Sequence, residues 1–315
     1  MGRYLLGRLA AAAPTLILLT LAAFALNTWA RGDPAEAALR QGGVEPTREA
    51  IADYREKMGL NDPLVVRYVH WMSGLAHGDL GKSFLDQRPV SDKIGERLIP
   101  TLKLGVAAFL VTTVAGIGFG TLFGLFPNST FDVVGRVISQ LLAAIPSFWL
   151  AVLLVSVVAE RVAWLPVGGY GGVRYMVLPV IALACGASAS LMRFTRSSVM
   201  EVWRLDYVRT ARAKGLKQQA VALRHALPNA MLPILTLLGL RFGQILAGAI
   251  IVEIIFSWPG MGSAIVTAIS GRDLPVIGAY VLLAGTLFII VNLITDLSYA
   301  LLDPRVRLDA TGRSR

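Results

Sequence analysis

The chain has 315 residues, of which 55% are hydrophobic and only 16% are charged, and its mean hydropathy is +0.62. This composition excludes an ordinary soluble domain and indicates an integral membrane protein. The formal net charge of +10 could indicate nucleic-acid binding, but the basic residues cluster in one loop and at the two chain ends. Membrane orientation explains that distribution better, so we expect a lipid bilayer and no nucleic acid among the partners. The single cysteine, Cys185, excludes an intrachain disulfide.

Six apolar segments are each long enough to cross a hydrocarbon core of roughly 30 Å as a helix. They lie at residues 9–30, 104–126, 137–159, 176–192, 231–252 and 277–300. The predicted fold class is therefore an all-α integral membrane protein with six transmembrane helices. The first segment also has the pattern of a cleavable signal peptide, but its apolar run continues to Ala30, which favours a retained anchor.

The orientation of the chain follows from its terminal charges. An even number of spans places both termini on one side of the membrane, and arginines in short flanking segments favour the cytoplasm. The arginines concerned are Arg3, Arg8, Arg305, Arg307, Arg313 and Arg315. We therefore expect cytoplasmic N- and C-termini.

Residues 31–97 form the only sizeable polar region, and long polar loops cross the membrane largely regardless of charge. We predict an extracytoplasmic insertion after the first span. Helical periodicity over residues 46–58 and 63–75, with a turn at residues 59–63, predicts two short helices in this insertion.

Two motifs in the insertion favour no ligand. Gly81-Lys82-Ser83 matches the end of a phosphate-binding loop, but Ala76 occupies the position where that motif requires its first glycine. His70 and His77 could share a helix face, yet two histidines without a cysteine or a fixed carboxylate are a weak metal set. We therefore expect neither a nucleotide nor a metal in this chain.

The loop over residues 193–228 is the most basic part of the chain. It contains eight Lys or Arg residues, against only Glu201 and Asp206, which predicts a cytoplasmic loop between spans four and five. Its pattern predicts one helix that ends at Lys214, with Gly215 as the left-handed stop, and a second that begins near Lys217. We expect this second helix to end at the prolines at positions 228 and 233.

The same loop resembles the EAA coupling loop of ABC-transporter permeases, in the form carried by dipeptide, oligopeptide and nickel importers. The resemblance implies that the loop docks into a groove on a separate ATPase subunit. The matching positions are Asp206, Ala211, Ala213, Gly215, Leu227 and Pro228. The small residues Ala211, Ala213 and Gly215 would allow the two backbones to approach closely. Arg209 and His225 depart from the general pattern, which has glutamate and an aliphatic residue there.

Further motifs of the same family occur in matching order along the chain. They are Gly32-Asp33-Pro34, Phe256-Ser257-Trp258-Pro259-Gly260 and Asp303-Pro304-Arg305. The resemblance implies a first helix within residues 1–30, an extracytoplasmic domain at 31–97, a permease domain at 98–302 and a cytoplasmic tail at 303–315. The segment within residues 253–275 is too short to cross the membrane, and its Gly and aromatic content favours a re-entrant or interfacial element on the outer face.

The resemblance implies a multi-pass protein of a bacterial inner membrane that is one subunit of an importer. The implied partners are a second homologous permease in a heterodimer, two ATP-binding cassette ATPases and an extracytoplasmic solute-binding protein. ATP and Mg²⁺ would be bound by the ATPases, so this chain would carry no cofactor and no catalytic residue. The implied cargo is a dipeptide or oligopeptide, or nickel or a metal chelate, and the segments 83–90 and 164–172 favour the nickel branch. The alternative is a secondary transporter or channel that needs no ATPase.

Arg241 lies near the middle of the fifth apolar segment, with Gln244 about one helical turn away. Charged residues inside spans are costly and usually face a bundle interior or a wet cavity. One hypothesis is that Arg241 and Gln244 line the translocation path. The other is that Asn292 or Asp296 of the last span holds Arg241 as a structural contact. The sequence leaves both open.

Overall fold

The computed structural model describes residues 2–29, 33–40 and 46–302. These ranges form helices, turns and loops, with one isolated antiparallel bridge between Lys82 and Pro89. The described residues divide into two compact units, one built from residues 2–5, Thr101–Trp258 and residues 290–302, the other from described residues within Leu6–Pro100 and Pro259–Ile289. The expected all-α class is confirmed for the described residues.

The α-helices follow one another along the chain with short connections. In order they are α1 (Gly2–Trp29), α2 (Pro34–Arg40), α3 (Arg48–Lys57), α4 (Leu64–Ala76), α5 (Val90–Leu125), α6 (Thr130–Ala144), α7 (Ser147–Leu153), α8 (Val173–Trp203), α9 (Asp206–Ala213), α10 (Gln218–Val221), α11 (Leu227–Ile255), α12 (Met261–Ser270) and α13 (Leu274–Leu302). Two π-helical segments, Leu154–Arg161 and Ala222–Ala226, extend α7 and join α10 to α11.

Four helical stretches among the described residues are long and apolar enough to cross a bilayer. They are Val90–Leu125, Val173–Trp203, Gln218–Ile255 and Leu274–Thr295. The bent pair formed by Thr130–Ala144 and Ser147–Arg161 raises the number to five if it counts as one span. Helix α1 is 28 residues long. Its described apolar stretch, Ala13–Ala25, is shorter than the four candidate spans.

The predicted third span over residues 137–159 is wrong as a single straight helix. Helix α6 ends at Ala144, and the axis turns by 96° before the chain continues from Ser147. Pro146 explains the break, because its ring clashes with a helical conformation at the preceding residue. Ile145 accordingly adopts an extended conformation, with φ −81° and ψ 120°.

The predicted fourth span over residues 176–192 is too short. Helix α8 runs for 31 residues, so Arg193 and Arg196 belong to it and not to the basic loop. Arg196 is stabilised there by an ion pair with Asp132 of α6, with 2.6 Å between Nε and Oδ1. Spans placed by apolar length alone end at the first arginine. Such a prediction does not take into account an acidic partner on a neighbouring helix.

The second helix of the basic loop begins where predicted, directly after Lys217, but it does not end at Pro228 or Pro233. It continues through the π-helical segment into α11 and ends at Ile255. The Leu227 N–H donates to the carbonyl of Ala222, five residues back, which is the wider π-helical turn. Pro228 then lies in the first turn of α11, where its missing N–H is least costly.

The two helices predicted in the polar insertion are confirmed as α3 and α4. The Thr47 hydroxyl caps α3 by accepting a hydrogen bond from the Ala50 N–H at 3.3 Å. Gly59, in the turn between the helices, has φ +61°, a left-handed conformation that favours glycine.

Helix α5 packs against α8 through a glycine stripe made of Gly116, Gly120 and Gly124. A Cβ atom at Gly120 would lie 2.6 Å from the carbonyl oxygen of Met192, and one at Gly116 would lie 2.4 Å from the Leu191 side chain. Close backbone approach through small residues four apart is a common means of helix association in membranes. The stripe therefore fixes α8 against α5.

In the second unit, α12 and the first part of α13 share an apolar core with the start of α5. Its buried residues include Val90, Ile94, Met261, Val276 and Tyr280. Helix α12 has ten residues, which is too few to cross a bilayer. This agrees with the predicted short element between the last two spans.

Candidate coupling hairpin and translocation face

Helices α9 and α10, with the π-helical segment that follows, form a basic hairpin over residues 206–226. The Lys214 N–H donates to the Thr210 carbonyl at 3.1 Å, and the Gly215 N–H donates to the Arg212 carbonyl at 3.0 Å. Gly215 has φ +78°, so the predicted left-handed glycine stop is confirmed. The turn separates the basic helix α9 from α10 and the π-helical segment, which carries Arg224.

The interior of the basic hairpin is a small apolar core. Val208, Ala211 and Val221 are buried there, packed against Val202 and Trp203 at the end of α8. Ala211 is only 8% exposed, so its small side chain serves the packing of the hairpin itself. Of the three small residues singled out in the sequence, Ala213 and Gly215 lie on the surface.

The surface of the basic hairpin combines charge with exposed leucines. Leu205, Leu216 and Leu223 are between 45% and 63% exposed. The Asp206 side chain is also exposed, 3.7 Å from a guanidinium nitrogen of Arg209. Leu227 is half-buried and Pro228 is exposed. Exposed apolar residues beside cations, outside the long apolar helices, are typical of a protein-binding surface.

Two side-chain contacts connect the basic hairpin to the long helices, and α11 continues directly from it. The Gln218 side-chain amide donates to the Leu125 carbonyl at the end of α5, at 3.4 Å. The Arg212 guanidinium lies 5.5 Å from the centre of the Trp203 ring at the end of α8. Within the hairpin, the Tyr207 hydroxyl donates to the His225 carbonyl at 3.3 Å and joins its two arms. A displacement of the hairpin would therefore act on α5, α8 and α11 together.

A buried ion pair between α6 and α8 was missed by sequence reasoning. Asp132, in the first turn of α6, is fully buried, and its carboxylate accepts hydrogen bonds from two nitrogens of Arg196 at 2.6 and 2.8 Å. The Asn128 N–H also donates to it, at 2.8 Å. The residues from Pro127 to Arg136 have no net charge. The sequence therefore contains no sign that Asp132 pairs with Arg196 of α8.

Arg241 and Gln244 lie on one face of α11, as the sequence predicted. Arg241 Nη1 donates to Gln244 Oε1 at 2.6 Å, and Gln244 is exposed on the surface of this chain. One turn further, a Cβ atom at Gly248 would lie 3.5 Å from Leu183 of α8. Asn292 is half-buried, and the side chain of Asp296 lies outside the described residues. The hypothesis that Asp296 holds Arg241 therefore stays a prediction.

A second buried carboxylate lies at the far end of α11. Glu253 is fully buried, and the Thr101 hydroxyl of α5 donates to its Oε1 at 2.6 Å. Nearby, the Gly169 N–H donates to the Phe256 carbonyl at 2.7 Å, and the Tyr170 ring packs edge-on against Trp258 at 4.8 Å. The loop before α8 is thus joined to the segment after α11. A glutamate at the end of an apolar segment was the available signal for this site.

The described residues contain no group of three or more His, Cys, Asp or Glu side chains that could hold a metal ion. His77 lies at the end of α4, where its Nδ1 is 2.8 Å from the Ser73 carbonyl oxygen. Ser83, from the Gly-Lys-Ser motif, is buried and donates a short hydrogen bond to Asp273. These two residues therefore serve local structure.

Long apolar helices joined by a basic helical hairpin indicate an integral membrane protein, and comparison with known proteins identifies its class. The family model of the binding-protein-dependent transport system inner membrane component matches residues 116–308. The model of the N-terminal region of such components matches residues 1–105. The chain belongs to this family, and it is a permease of the peptide group of ABC importers.

Two curated relatives match almost the whole chain. The glutathione transport system permease protein GsiC of Salmonella choleraesuis is 37% identical over 304 residues, which cover 96% of this chain and 98% of the relative. The dipeptide transport system permease protein DppB of Alkalihalophilus pseudofirmus is 36% identical over 332 residues, with 96% and 99% covered.

A solved structure shares the fold. The MetNI methionine ABC transporter, in an inward-facing conformation, matches with a TM-score of 0.58 and 15% sequence identity. The match covers 67% of this chain and 96% of the other chain. At this identity the likeness concerns the fold alone.

Proposed function

We propose that this permease forms half of the translocation path of an importer for dipeptides or oligopeptides, and that a separate ATPase drives it through the basic hairpin. The observation that carries the proposal is the hairpin itself, a glycine-stopped helical turn with exposed leucines and basic side chains. Its contacts with Leu125 and Trp203 offer a direct mechanical connection to the apolar helices.

The proposed docking surface centres on the hairpin turn. Ala213 and Gly215 are exposed and small, so an ATPase backbone can approach them closely. Asp206, Leu227 and Pro228 flank this turn, whereas Ala211 supports it from inside. ATP and Mg²⁺ are bound by the ATPase subunits in this proposal, and this chain contributes no catalytic residue and no cofactor site.

The proposed topology has six spans, with α1 as the first and the bent pair of α6 and α7 as the third. Residues 31–97 lie outside the cell membrane, and both termini and the basic hairpin lie in the cytoplasm. The excess of Lys and Arg in the hairpin supports this orientation. The domain limits at 1–30, 31–97, 98–302 and 303–315 are part of the same proposal.

Arg241 and Gln244 are proposed to line the path. The support is that Gln244 is exposed on an otherwise apolar helix and forms a hydrogen bond with Arg241. A polar pair on the surface of a membrane helix is costly against lipid, but suits a water-filled space between two subunits. A second homologous permease in a heterodimer would supply the other half of that space.

The printed names of the relatives support a peptide cargo over nickel, because they name glutathione and dipeptide transport. An extracytoplasmic solute-binding protein is the proposed partner that delivers the cargo. Uptake of labelled dipeptides, glutathione and nickel by a deletion strain with and without this chain would identify the cargo. Restored uptake of nickel alone would contradict the peptide assignment.

Co-purification tests the coupling proposal directly. The tagged permease should retain an ATP-binding cassette ATPase after extraction in mild detergent. A variant with Arg209, Arg212 and Lys214 all changed to Glu should lose the ATPase while remaining in the membrane fraction. Labelling of a cysteine at position 215 by a membrane-impermeant reagent from outside intact cells would overturn both the topology and the coupling.

A further inference from the structure

A cleft between α6 and α8 has a composition that the transport function does not explain. Its volume is about 400 Å³, and it is lined by Val133, Arg136, Val137, Gln140, Arg193 and Arg196. Half of the lining residues are arginines, and two others are exposed valines. We call it the arginine cleft.

The arginine cleft has a surplus of positive charge. Asp132 is the acid that Arg196 and Arg136 contact among the described residues, and its two oxygens accept hydrogen bonds from Arg196 at 2.6 and 2.8 Å. Arg136 is a more distant partner of the same carboxylate, at 3.6 Å. Arg193 donates to the neutral Gln140 at 2.6 Å. Three guanidinium groups against one carboxylate leave two positive charges facing the cleft.

The depth of the arginine cleft follows from helix length. At 1.5 Å per residue, about 20 residues cross a hydrocarbon core of roughly 30 Å. Helix α8 begins at Val173, so such a span ends near Arg193. The remaining turns, which carry Arg196 and lead to the basic hairpin, then lie at headgroup level. This step rests on the proposed cytoplasmic position of the hairpin.

The flank of the arginine cleft suits an acyl chain. Val133 and Val137 line the cleft, and further along the same helix Leu141 is 62% exposed. A ligand with an anionic head and an apolar tail would satisfy both parts. Its head would accept hydrogen bonds from Arg136 and Arg193, and its tail would cover the apolar face of α6.

We propose that the arginine cleft binds a phosphate-class anion, supplied by the headgroup of an acidic phospholipid. Guanidinium groups match phosphate oxygens with paired hydrogen bonds. Basic pockets between membrane helices on the cytoplasmic side are suited to acidic headgroups. Bound there, the lipid would brace the contact between α6 and α8.

The test uses the full chain, with whatever subunits it retains, in nanodiscs that contain phosphatidylglycerol or only phosphatidylcholine. Native mass spectrometry after gentle release should find retained phosphatidylglycerol but not phosphatidylcholine. The double variant Arg136→Gln with Arg193→Gln should weaken retention about thirtyfold, the effect expected for two basic side chains at an anionic surface. Arg196 is left intact, since it stabilises Asp132.

The matched control is Arg161→Gln, which removes an exposed arginine from the other half of the bent pair and should leave retention unchanged. Equal retention of phosphatidylglycerol by the double variant and the unaltered chain would overturn the proposal. Displacement of the lipid by millimolar inorganic phosphate would identify free phosphate as the source of the anion. Because retention is measured whether or not an ATPase co-purifies, failure here is distinct from failure of the proposed function.

Discussion

Arg196 holds Asp132 with two parallel hydrogen bonds, of 2.6 and 2.8 Å, from a position 64 residues further along the chain. The pair joins the first turn of α6 to the cytoplasmic-side end of α8 proposed above. Arg196 lies about two turns before Trp203, where α8 ends and the basic hairpin follows. The ion pair therefore fixes α8 against α6 in the last turns of α8 before the basic hairpin.

Removing the acid of this pair should be strongly destabilising. Asp132→Ala leaves Arg196, whose side chain is only 16% exposed, without its charge partner, at a cost of about 3 kcal/mol. The midpoint of thermal unfolding in detergent should fall clearly. The control is Glu36→Gln, which breaks the exposed pair between Glu36 and Arg40 and should cost less than about 1 kcal/mol. Equal effects of the two variants would show that the buried pair is not a principal support.

The glycine stripe of α5 should not tolerate a larger side chain. Gly120→Val places a Cβ atom 2.6 Å from both the Met192 carbonyl and the Thr195 side chain, so α5 and α8 must separate, at a cost of about 2 kcal/mol or more. The yield of folded protein and its unfolding temperature should both decrease.

Gly118 provides the matched control for the stripe, since a Cβ atom there meets nothing within 4 Å. Gly118→Ala should be neutral or stabilise the helix by up to about 1 kcal/mol. If both variants behave alike, the packing of α5 on α8 is not set by the stripe.

The turn of the basic hairpin requires a left-handed residue. Gly215→Val should abolish uptake and substrate-stimulated ATP hydrolysis without removing the protein from the membrane, because a β-branched residue cannot adopt φ +78° without strain. Gly215→Asn should retain more activity, since asparagine enters this conformation more readily. Transport and hydrolysis in proteoliposomes would measure both. Full activity of the valine variant would contradict the assigned role of the turn.

The buried carboxylate of Glu253 should depend on its hydroxyl donor. Thr101→Val removes the hydrogen bond of 2.6 Å to Glu253 and should cost about 1 to 3 kcal/mol. Thr113→Val is the control, because its hydroxyl bonds only a carbonyl of its own helix in the described structure, that of Phe109 at 2.8 Å. Chemical or thermal unfolding in detergent distinguishes them. Equal loss in both variants would assign the effect to helix α5 alone.

Acid should weaken the loop that precedes α5. Burial raises the pKa of the Asp86 carboxyl, but hydrogen bonds from Lys93 and the Arg88 N–H outweigh this effect, so the pKa lies below its usual value. A depressed pKa contributes stability that is complete above the unfolded value, near 4, and is lost as the pH falls through the folded value. The contribution is below about 1 kcal/mol, because the Asp86 side chain is 42% exposed.

Unfolding free energies measured from pH 6 to pH 3 would test this loss. Asp86→Asn should flatten the acid limb, whereas Asp53→Asn, at an exposed position on α3, should not. If the unfolding free energy of the Asp86 variant falls toward pH 3 as steeply as that of the unaltered chain, the pair of Lys93 and Asp86 does not cause the acid sensitivity.

The sequence by itself determined the features that depend on local chemistry. Apolar length marked the membrane helices, Gly215 marked a left-handed stop, and the polar insertion showed its two helices by periodicity. The order of the motifs along the chain indicated the family. Each of these signals lies within one segment, where solvation and backbone conformation act on neighbouring residues.

Only the tertiary structure decided where the partners of Arg193 and Arg196 lie and where α8 and α11 end. Arg193 and Arg196 extend α8 because Gln140 and Asp132 of α6 receive them. Ala211 turned inward because Val221 packs against it. Such outcomes depend on partners distant in sequence, since the cost of placing a guanidinium or a carboxylate at a membrane depth is set by the groups that surround it in the folded chain.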